Sequence, residues 1–284
     1  MGSSVMTTHS DRGVLEDIRM TRDPASLDTA DPFVETELGA RLRSTATETS
    51  DLALLAQRIR QTAVPDDELC QNLGLYLRRQ TLARIMMFTE LYRLQLEVHG
   101  VIAEFGVRWG QSLALLSNLR ALLEPYNNTR RVLGFDTFQG FLSTTDEDGA
   151  DQIVRSGAFS VTTGYQEELA QLLRLHERNA PNQHINKTEL VSGDASRTIY
   201  EYLDRHPETV FSLVYFDFDL YEPTRAVLAA IRNRLTRGSV VAFDEVCLST
   251  FPGETLAVME EIGLRNVALR RFTFDSNPSY FIVE

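Results

Sequence analysis

The sequence predicts an α/β fold with a mostly parallel sheet, an antiparallel hairpin at its carboxyl end and a helical extension at its amino end. From residue 101 onward, short apolar segments alternate with helical ones, which is the rhythm of successive βα units. Near the carboxyl terminus, two strand-like segments are separated only by the turn residues 275–278, as in a hairpin. Residues 51–100 have helical periodicity alone.

Seven strands are predicted after residue 100, and helices join most of them. The strands cover residues 101–105, 131–136, 189–192, 211–217, 239–244, 267–274 and 279–283. The helices cover residues 111–123, 166–178, 195–206, 222–235 and 253–262. Because a helix follows each of the first five strands, these strands should run parallel, while the closing hairpin adds one antiparallel strand.

The amino-terminal region is predicted to contain an arm and a helical extension. Residues 1–50 are polar and carry little periodicity, so we expect a flexible or loosely docked arm. A short amphipathic helix follows in residues 51–63, and residues 66–98 predict one long helix that Asp66 caps and His99-Gly100 ends. Apolar residues cover more than one face of the long helix, so we expect contacts with the core and with a second subunit. Packing within one chain is the alternative.

Composition and charge exclude several classes of protein. Among the 284 residues, 24% are charged and 43% are hydrophobic, which is ordinary for a soluble globular protein. The net charge of −12 disfavours binding to a nucleic-acid backbone. No apolar run approaches the roughly 20 residues of a membrane span, and the amino terminus lacks a secretory h-region. The two cysteines form neither a disulfide framework nor a zinc spacing. We therefore expect a cytoplasmic protein without a membrane partner.

Residues 138–165 form a connection that is longer than most loops in compact domains. It contains four aromatic side chains, those of Phe138, Phe141, Phe159 and Tyr165. Loops of this length are usually functional or disordered, and the aromatic residues favour a lid over the substrate.

A turn with two glycines follows the first predicted strand of the sheet and opens the next helix. Glu104 precedes Gly106 and Gly110, and Ser112 lies just inside the helix. Glycines at these positions let the backbone approach a polar or anionic ligand at the start of the helix. The missing middle glycine disfavours a dinucleotide site. Glu104 could instead attract a cationic ligand, and a tight turn into a packed helix is the purely structural alternative.

Single acids follow the next two strands. Asp136 could accept hydrogen bonds from both hydroxyl groups of a ribose. Asp194 could receive an exocyclic adenine amine, or it could simply cap the helix that follows.

Two later strands end in pairs of acids. Asp217 and Asp219 lie in the segment LVYFDFDLYEPT, and Asp244 and Glu245 end GSVVAFDEV. Open α/β sheets place their ligands at the carboxyl ends of strands, so these acids predict a metal site or a catalytic base. Oxygen-only ligands suit Mg²⁺ or Mn²⁺ better than zinc. Acids that merely cap helices or face water are the alternative.

The glycine turn, Asp136, Asp194 and the late hairpin together resemble the Rossmann-like class I S-adenosylmethionine-dependent methyltransferases over residues 101–284. Within that class, D-x-D-L-Y-E-P-T followed by an acidic pair 25 and 26 residues after Asp219 is similar to the macrocin and mycinamicin type of sugar O-methyltransferase. The resemblance is strongest to TDP-deoxyhexose 3-O-methyltransferases of antibiotic pathways, including the rhamnose methyltransferase of the calicheamicin pathway. It implies a magnesium-dependent enzyme with a metal-bound aspartate as base.

Carried over residue by residue, the resemblance implies that Asp219 is the base and a metal ligand, with Asp244 and Glu245 as the other ligands. Relatives commonly have a second aspartate where this chain has Glu245, which leaves direct coordination by the longer side chain open. Asp217 could be a ligand, an acceptor behind the ligands or part of the cofactor pocket. The implied cofactor-binding residues are Glu104, Gly106, Gly110, Ser112, Asp136, Asp194 and Asp217.

The implied cofactors are S-adenosylmethionine, with S-adenosylhomocysteine as product, and Mg²⁺ or Mn²⁺. The implied acceptor is a sugar or nucleotide-sugar, and arginines would have to meet a diphosphate; the candidates are Arg155, Arg197, Arg270 and Arg271. A catechol or macrolide-type acceptor is one alternative, and a non-catalytic cofactor-binding scaffold is another. The glycine pattern disfavours an NAD-dependent oxidoreductase. We expect a homo-oligomer formed through the amino-terminal helices, with no nucleic-acid partner.

Overall fold

The structure is a computed structural model that describes residues 45–284 and the backbone of two short strands before them. These strands, Val34–Glu35 (β1) and Arg41–Leu42 (β2), pair antiparallel. Most of the predicted arm, residues 1–50, lies outside the described residues. The chain divides into two compact units between Ala63 and Val64.

The first unit contains the helix Ala46–Arg60 (α1), which starts before the predicted residue 51. Its start follows from a capping box, in which Thr45 and Glu48 satisfy each other's backbone amides. The Glu48 amide donates to the Thr45 hydroxyl at 3.2 Å, and the Thr45 amide donates to the Glu48 carboxylate at 2.8 Å.

The prediction of one long helix over residues 66–98 is wrong. The segment forms a short helix, Asp66–Leu69 (α2), a 3-10 helix, Cys70–Tyr76, and then the helix Arg79–Leu94 (α3). Leu77 and Arg78 are extended between them, with ψ of 121° and 159°. Gly74 near this break favours leaving the α-helix because glycine has a poor helix propensity. Pro65, rather than Asp66, is the cap of α2.

Five further helices and seven strands complete the second unit. The helices are Gln111–Leu123 (α4), Tyr165–Arg178 (α5), Ala195–Arg205 (α6), Tyr221–Ile231 (α7) and Gly253–Glu261 (α8). The strands are Val101–Phe105 (β3), Val132–Asp136 (β4), Thr188–Ser192 (β5), Phe211–Phe216 (β6), Leu235–Phe243 (β7), Arg270–Arg271 (β8) and Ser279–Ile282 (β9).

The seven strands form one sheet in the order β5-β4-β3-β6-β7-β9-β8. Strands β3 to β7 pair in parallel, while β9 runs antiparallel to both β7 and β8. The predicted fold class is therefore confirmed. The strand predicted over residues 267–274 is much shorter than expected, and residues 232–234 form a 3-10 turn before β7 instead of extending the preceding helix.

A row of four phenylalanines crosses the sheet one residue before its carboxyl edge. Phe135, Phe105, Phe216 and Phe243 are paired in register on β4, β3, β6 and β7. Their stacked rings have centroids 4.7, 5.4 and 5.0 Å apart in that order. Asp136, Gly106, Asp217 and Asp244 follow these residues directly. Because the four phenylalanines are in register, the residues that follow them lie side by side at the carboxyl edge of the sheet.

Helix α3 buries Met87, Phe88, Leu91 and Tyr92 completely. On its other side Leu82 and Met86 are 48% and 43% exposed. Apolar side chains are thus available there for a second subunit, and that contact stays a prediction. No helix among the residues described here is long and apolar enough to cross a membrane. Cys70 and Cys247 are both free and exposed.

Candidate active site

A cleft of about 460 Å³ opens at the carboxyl edge of the sheet, bounded by the loop after β4. It brings together nine of the ten residues that the sequence predicted for the site. These are Gly106, Gly110, Ser112, Asp136, Asp194, Asp217, Asp219, Asp244 and Glu245. Glu104 lies beneath them, fully buried. Parallel strands place their ends at one edge, which explains why distant segments meet here.

The turn after β3 requires glycine at position 106. Gly106 has φ of +96°, and a Cβ atom there would lie 2.0 Å from the carbonyl oxygen of Asp217. The turn after β3 can therefore lie this close to the backbone that follows β6 only because residue 106 has no side chain. Gly110, with φ of +76°, is the N-cap of α4.

Glu104 is a buried carboxyl group at the floor of the cleft. Burial raises its pKa to about 8, while the neighbouring Ser112 hydroxyl opposes the shift. Neither carboxyl oxygen makes a hydrogen bond of good geometry to the described residues. Such an acid can accept a proton or balance a nearby positive charge.

Asp136 and Asp194 both hold neighbouring backbone. Asp136 accepts from the Arg108 amide at 2.8 Å and from the Phe138 amide at 2.5 Å, one on each oxygen. Burial raises the pKa of Asp136, and the amide hydrogen bonds oppose that shift. Asp194 caps α6 by accepting from the Ser196 amide at 2.9 Å through Oδ1. The capping alternative for Asp194 is thus real, although its side chain also lines the cleft.

The four later acids form one cluster. Ligand oxygens of Asp217, Asp244 and Glu245 lie within 4.8 Å of one another, which is close enough to share a metal ion. The side chain of Asp219, 8% exposed, is hydrogen-bonded to Glu245. The compact set therefore contains Asp217 where the sequence predicted Asp219.

Burial raises the pKa values of three acids in this cluster, and that of Glu245 lies well above its ordinary value. The pKa of Asp217 reaches about 8, with the charge of Asp244 adding to the burial effect and Arg84 opposing it. The pKa of Asp219 reaches about 6, again chiefly through burial, while its hydrogen bond to Glu245 opposes the shift. Asp219 is therefore better matched than Asp217 to proton transfer near neutral pH.

Comparisons with known proteins identify the family. Neither a family model nor a curated protein matches the chain. The crystal structure of CalS11, described as a calicheamicin methyltransferase, is 40% identical with a TM-score of 0.83, covering 89% of this chain and 99% of that one. This chain belongs to the same O-methyltransferase family as CalS11.

Two further structures extend the comparison. The apo structure of CalS11, described as a TDP-rhamnose 3'-O-methyltransferase of calicheamicin biosynthesis, is 38% identical with a TM-score of 0.75, covering 85% of this chain and 96% of that one. The O-methyltransferase NovP, at 20% identity and a TM-score of 0.54, shares the fold over 70% of this chain and 79% of its own. The predicted family and enzyme class are confirmed.

Arg84 of the methyltransferase was missed by the sequence analysis. From α3 it donates to Asp217 at 2.6 Å and to Asp244 at 3.0 Å. The Tyr215 hydroxyl donates to the same oxygen of Asp244 at 2.5 Å. Arg84 lies in an apolar helical segment, and a single sequence contains no signal that pairs it with acids more than a hundred residues away.

Arg108 is the second cation of the methyltransferase cleft. Its guanidinium carbon lies 4.9 Å from the centre of the Phe159 ring, and its buried Nε has no hydrogen-bond partner. Within the described part of the chain, the arginines that line the cleft are Arg84 and Arg108. The four arginines proposed for a diphosphate lie elsewhere.

The loop predicted as a lid forms one wall of the cleft. Phe141 and Phe159 line it, with ring centroids 5.2 Å apart. Asp148, 1% exposed, accepts from the Thr145 amide and from the Tyr221 amide, each at 2.6 Å. The loop is thus tied to the start of α7, directly beside the acids.

Proposed function

We propose that this chain is an S-adenosylmethionine- and Mg²⁺-dependent O-methyltransferase that methylates a sugar hydroxyl, the 3-hydroxyl of a TDP-deoxyhexose such as TDP-rhamnose. The observation that carries the proposal is the similarity to CalS11 over nearly the whole of that chain, at 40% identity. The acid cluster at the cleft supports the same chemistry, because a sugar hydroxyl is a poor nucleophile until it loses its proton.

The cofactor would lie across the ends of β3, β4 and β5. Gly106 and Gly110 line the cleft where its amino acid part would lie, and Asp136 and Asp194 stand where the ribose and the adenine would follow. Glu104 beneath the turn is a buried acid suited to balancing positive charge. These residues orient the methyl donor, and orientation supplies a large part of the acceleration in a displacement reaction.

The acid cluster fits a hard divalent cation. Its donors are carboxylate oxygens, and Glu245 Oε2 is buried without a hydrogen-bond partner. We assign the metal to Asp219, Asp244 and Glu245, the three acids that the family resemblance implies. Arg84 pairs with Asp217 at 2.6 Å, more closely than with Asp244 at 3.0 Å. Bound Mg²⁺ supplies a Lewis acid that makes a neighbouring hydroxyl more acidic. Asp219 takes the proton from the attacking hydroxyl at its carboxylate.

Acceptor specificity is tested by mass spectrometry of the products. We expect a mass gain of one methyl group with TDP-rhamnose and S-adenosylmethionine in Mg²⁺, and no product in EDTA. Catechols and macrolide glycosides form the comparison panel. Methylation of a catechol but of no nucleotide-sugar would overturn the proposed acceptor, and full activity in EDTA would overturn the metal.

The assignment of the base is tested with Asp219→Asn, Asp217→Asn and the exposed control Asp204→Asn. We expect Asp219→Asn to lose at least about a hundredfold in kcat, the usual range for general-base catalysis, with S-adenosylhomocysteine affinity unchanged. Its Mg²⁺ affinity should fall more than that of Asp217→Asn. The reverse order would make Asp217 the ligand.

The expectations of a homo-oligomer, a cytoplasmic location and no nucleic-acid partner stay predictions.

A further inference from the structure

Glu254 is a fully buried carboxyl group that the proposed reaction does not use. It lies in the first turn of α8 and is not among the residues that line the cleft. No ion pair joins it to a cation within the described residues. A buried carboxyl group without a cation is costly unless hydrogen bonds compensate.

Both hydrogen bonds of Glu254 go to backbone amides beside the catalytic acids. The Phe218 amide donates to Oε1 at 3.2 Å, and the Glu245 amide donates to Oε2 at 3.2 Å. Phe218 lies between Asp217 and Asp219 in the sequence, so one amide belongs to each acid-bearing segment.

These two amides lie where the sheet no longer holds the backbone. Strand β6 ends at Phe216 and β7 at Phe243, and α7 begins only at Tyr221. The last hydrogen bonds between neighbouring strand ends are made by two amides. The Asp217 amide donates to the Phe105 carbonyl at 2.8 Å, and the Asp244 amide donates to the Phe216 carbonyl at 3.0 Å. Beyond that point side chains join the two segments. Arg84 pairs with the carboxylates of Asp217 and Asp244, and Glu254 holds the backbone itself.

Gly253 is what allows Glu254 to reach this position. A Cβ atom at Gly253 would lie 2.4 Å from the Tyr221 amide nitrogen and 2.8 Å from Asp148 Oδ1. The start of α8 therefore packs directly against the start of α7, and the next side chain points between the two strand ends.

We propose that Glu254 is a positioning residue that fixes the spacing between the Asp217–Asp219 segment and the Asp244–Glu245 segment. The relevance of that spacing to metal binding rests on the proposed function. A carboxyl group suits this position because it offers an acceptor to each segment, whereas a glutamine offers only one acceptor and turns a donor toward the other amide.

The first test is amide hydrogen exchange of the full-length protein without added metal, comparing Glu254→Gln with wild type. We expect faster exchange in peptides that cover residues 216–220 or 243–247, and unchanged exchange in β4 and β5. Glu261→Gln is the matched control, since it makes the same change on the same helix but faces Arg225 instead of the acids. Unchanged exchange in both acid-bearing peptides would overturn the proposal.

The second test is calorimetric titration with Mn²⁺ and with S-adenosylhomocysteine. We expect Glu254→Gln to bind Mn²⁺ about 10- to 100-fold more weakly, the usual effect of residues behind metal ligands. Its affinity for S-adenosylhomocysteine should equal that of wild type, because Glu254 does not line the cleft. Equal losses for both ligands would indicate general damage to the fold and overturn the proposal. If wild type binds no Mn²⁺, the proposed metal fails, while the exchange experiment still decides the role of Glu254.

A second, more conservative variant keeps the proposal testable if Glu254→Gln does not fold. Glu254→Asp keeps both acceptor oxygens but is one methylene shorter, so it can serve only one segment at a time. We expect it to reproduce the faster exchange of Glu254→Gln in one of the two peptides. Wild-type exchange in Glu254→Asp would overturn the two-segment contact.

Discussion

The guanidinium group of Arg84 lies 2.6 Å from the carboxylate of Asp217, and its second nitrogen reaches Asp244 at 3.0 Å. One cation therefore joins helix α3 to the ends of two strands. The three side chains are 24%, 26% and 16% exposed, so the contacts are only partly screened by water. The charge of Arg84 opposes the rise that burial causes in the pKa of Asp217, and it reduces the repulsion between the two carboxylates.

Replacing Arg84 by Met should shift the pH dependence of the enzyme. Without the cation, burial raises the pKa of the proposed base Asp219 further, because the charge of Arg84 is one of the influences that oppose the shift. We expect the acid limb of the kcat/KM profile to move upward by about one unit, as a lost charge partner implies, so that kcat/KM falls severalfold at about pH 6 and little at about pH 8.

The control for this variant is Arg84→Lys. Lysine restores the charge without the paired geometry, so its profile should lie between those of Arg84→Met and wild type. A profile that Arg84→Met leaves unchanged would show that Arg84 is only a structural contact of α3.

Rising pH should lower the stability of the metal-free protein and increase the stabilisation that Mg²⁺ provides. The pKa values of Asp219 and Asp217 are about 6 and about 8, above those of an unfolded chain. Between about pH 4 and these values the folded state holds protons that the unfolded state has lost, so metal-free stability should fall as pH rises. Metal ligands must be ionised, so stabilisation by Mg²⁺ should instead grow with pH.

Thermal unfolding at pH 5.5, 7 and 8.5, in EDTA and in excess Mg²⁺, checks this expectation. The rise in Tm on adding Mg²⁺ should be largest at pH 8.5 and smallest at pH 5.5. A larger rise at pH 5.5 would contradict the assignment of the ion to these acids. The variant Asp204→Asn serves as a control with an exposed acid away from the cleft.

Local pattern predicted the elements that carry the acids but not the groups that surround them. The acids at the ends of β4, β6 and β7 could be placed together because parallel strands share an edge. The positions of Arg84, Arg108 and Glu254 could not be predicted, because each contacts its partners through tertiary packing and no spacing in the sequence indicates those contacts. The break at Leu77 and Arg78 was hidden by an apolar pattern that continues through it.

Arg108 should affect an anionic acceptor more than a neutral one. It has no ion pair within the described residues, and its Nε is buried without a partner, so it can pair with a diphosphate or another anion in the cleft. With Arg108→Met, the KM for TDP-rhamnose should rise about tenfold or more, the usual cost of one charge-assisted hydrogen bond.

The S-adenosylhomocysteine affinity of Arg108→Met separates the two anions available to this side chain. Unchanged cofactor affinity with a raised acceptor KM assigns Arg108 to the acceptor. Weaker binding of S-adenosylhomocysteine with an unchanged acceptor KM would assign it to the carboxylate of the cofactor instead. Arg155→Met, which alters an arginine outside the cleft, is the control.

Arg130 and its neighbour Arg131 should differ sharply in their effect on stability. Arg130 is 3% exposed, pairs with Glu124 at 2.9 Å and donates to the Ser212 hydroxyl at 2.6 Å and the Val98 carbonyl at 2.8 Å. Arg130→Met would remove the cation beside the largely buried Glu124, which would then keep the donors Tyr92 and Asn127. We expect a cost of about 3–5 kcal/mol in the free energy of unfolding, as for one lost partner of a buried ion pair.

Arg131 pairs with Glu189, but the two side chains are 29% and 32% exposed. Arg131→Met should therefore cost less than about 1 kcal/mol, because water and salt screen such a pair. Urea unfolding of both variants measures the difference. The turnover of the folded fraction should be unchanged in each, since both residues precede β4 at the edge of the sheet opposite the cleft. Equal destabilisation by the two variants would mean that the buried network around Arg130 contributes no more than a surface ion pair.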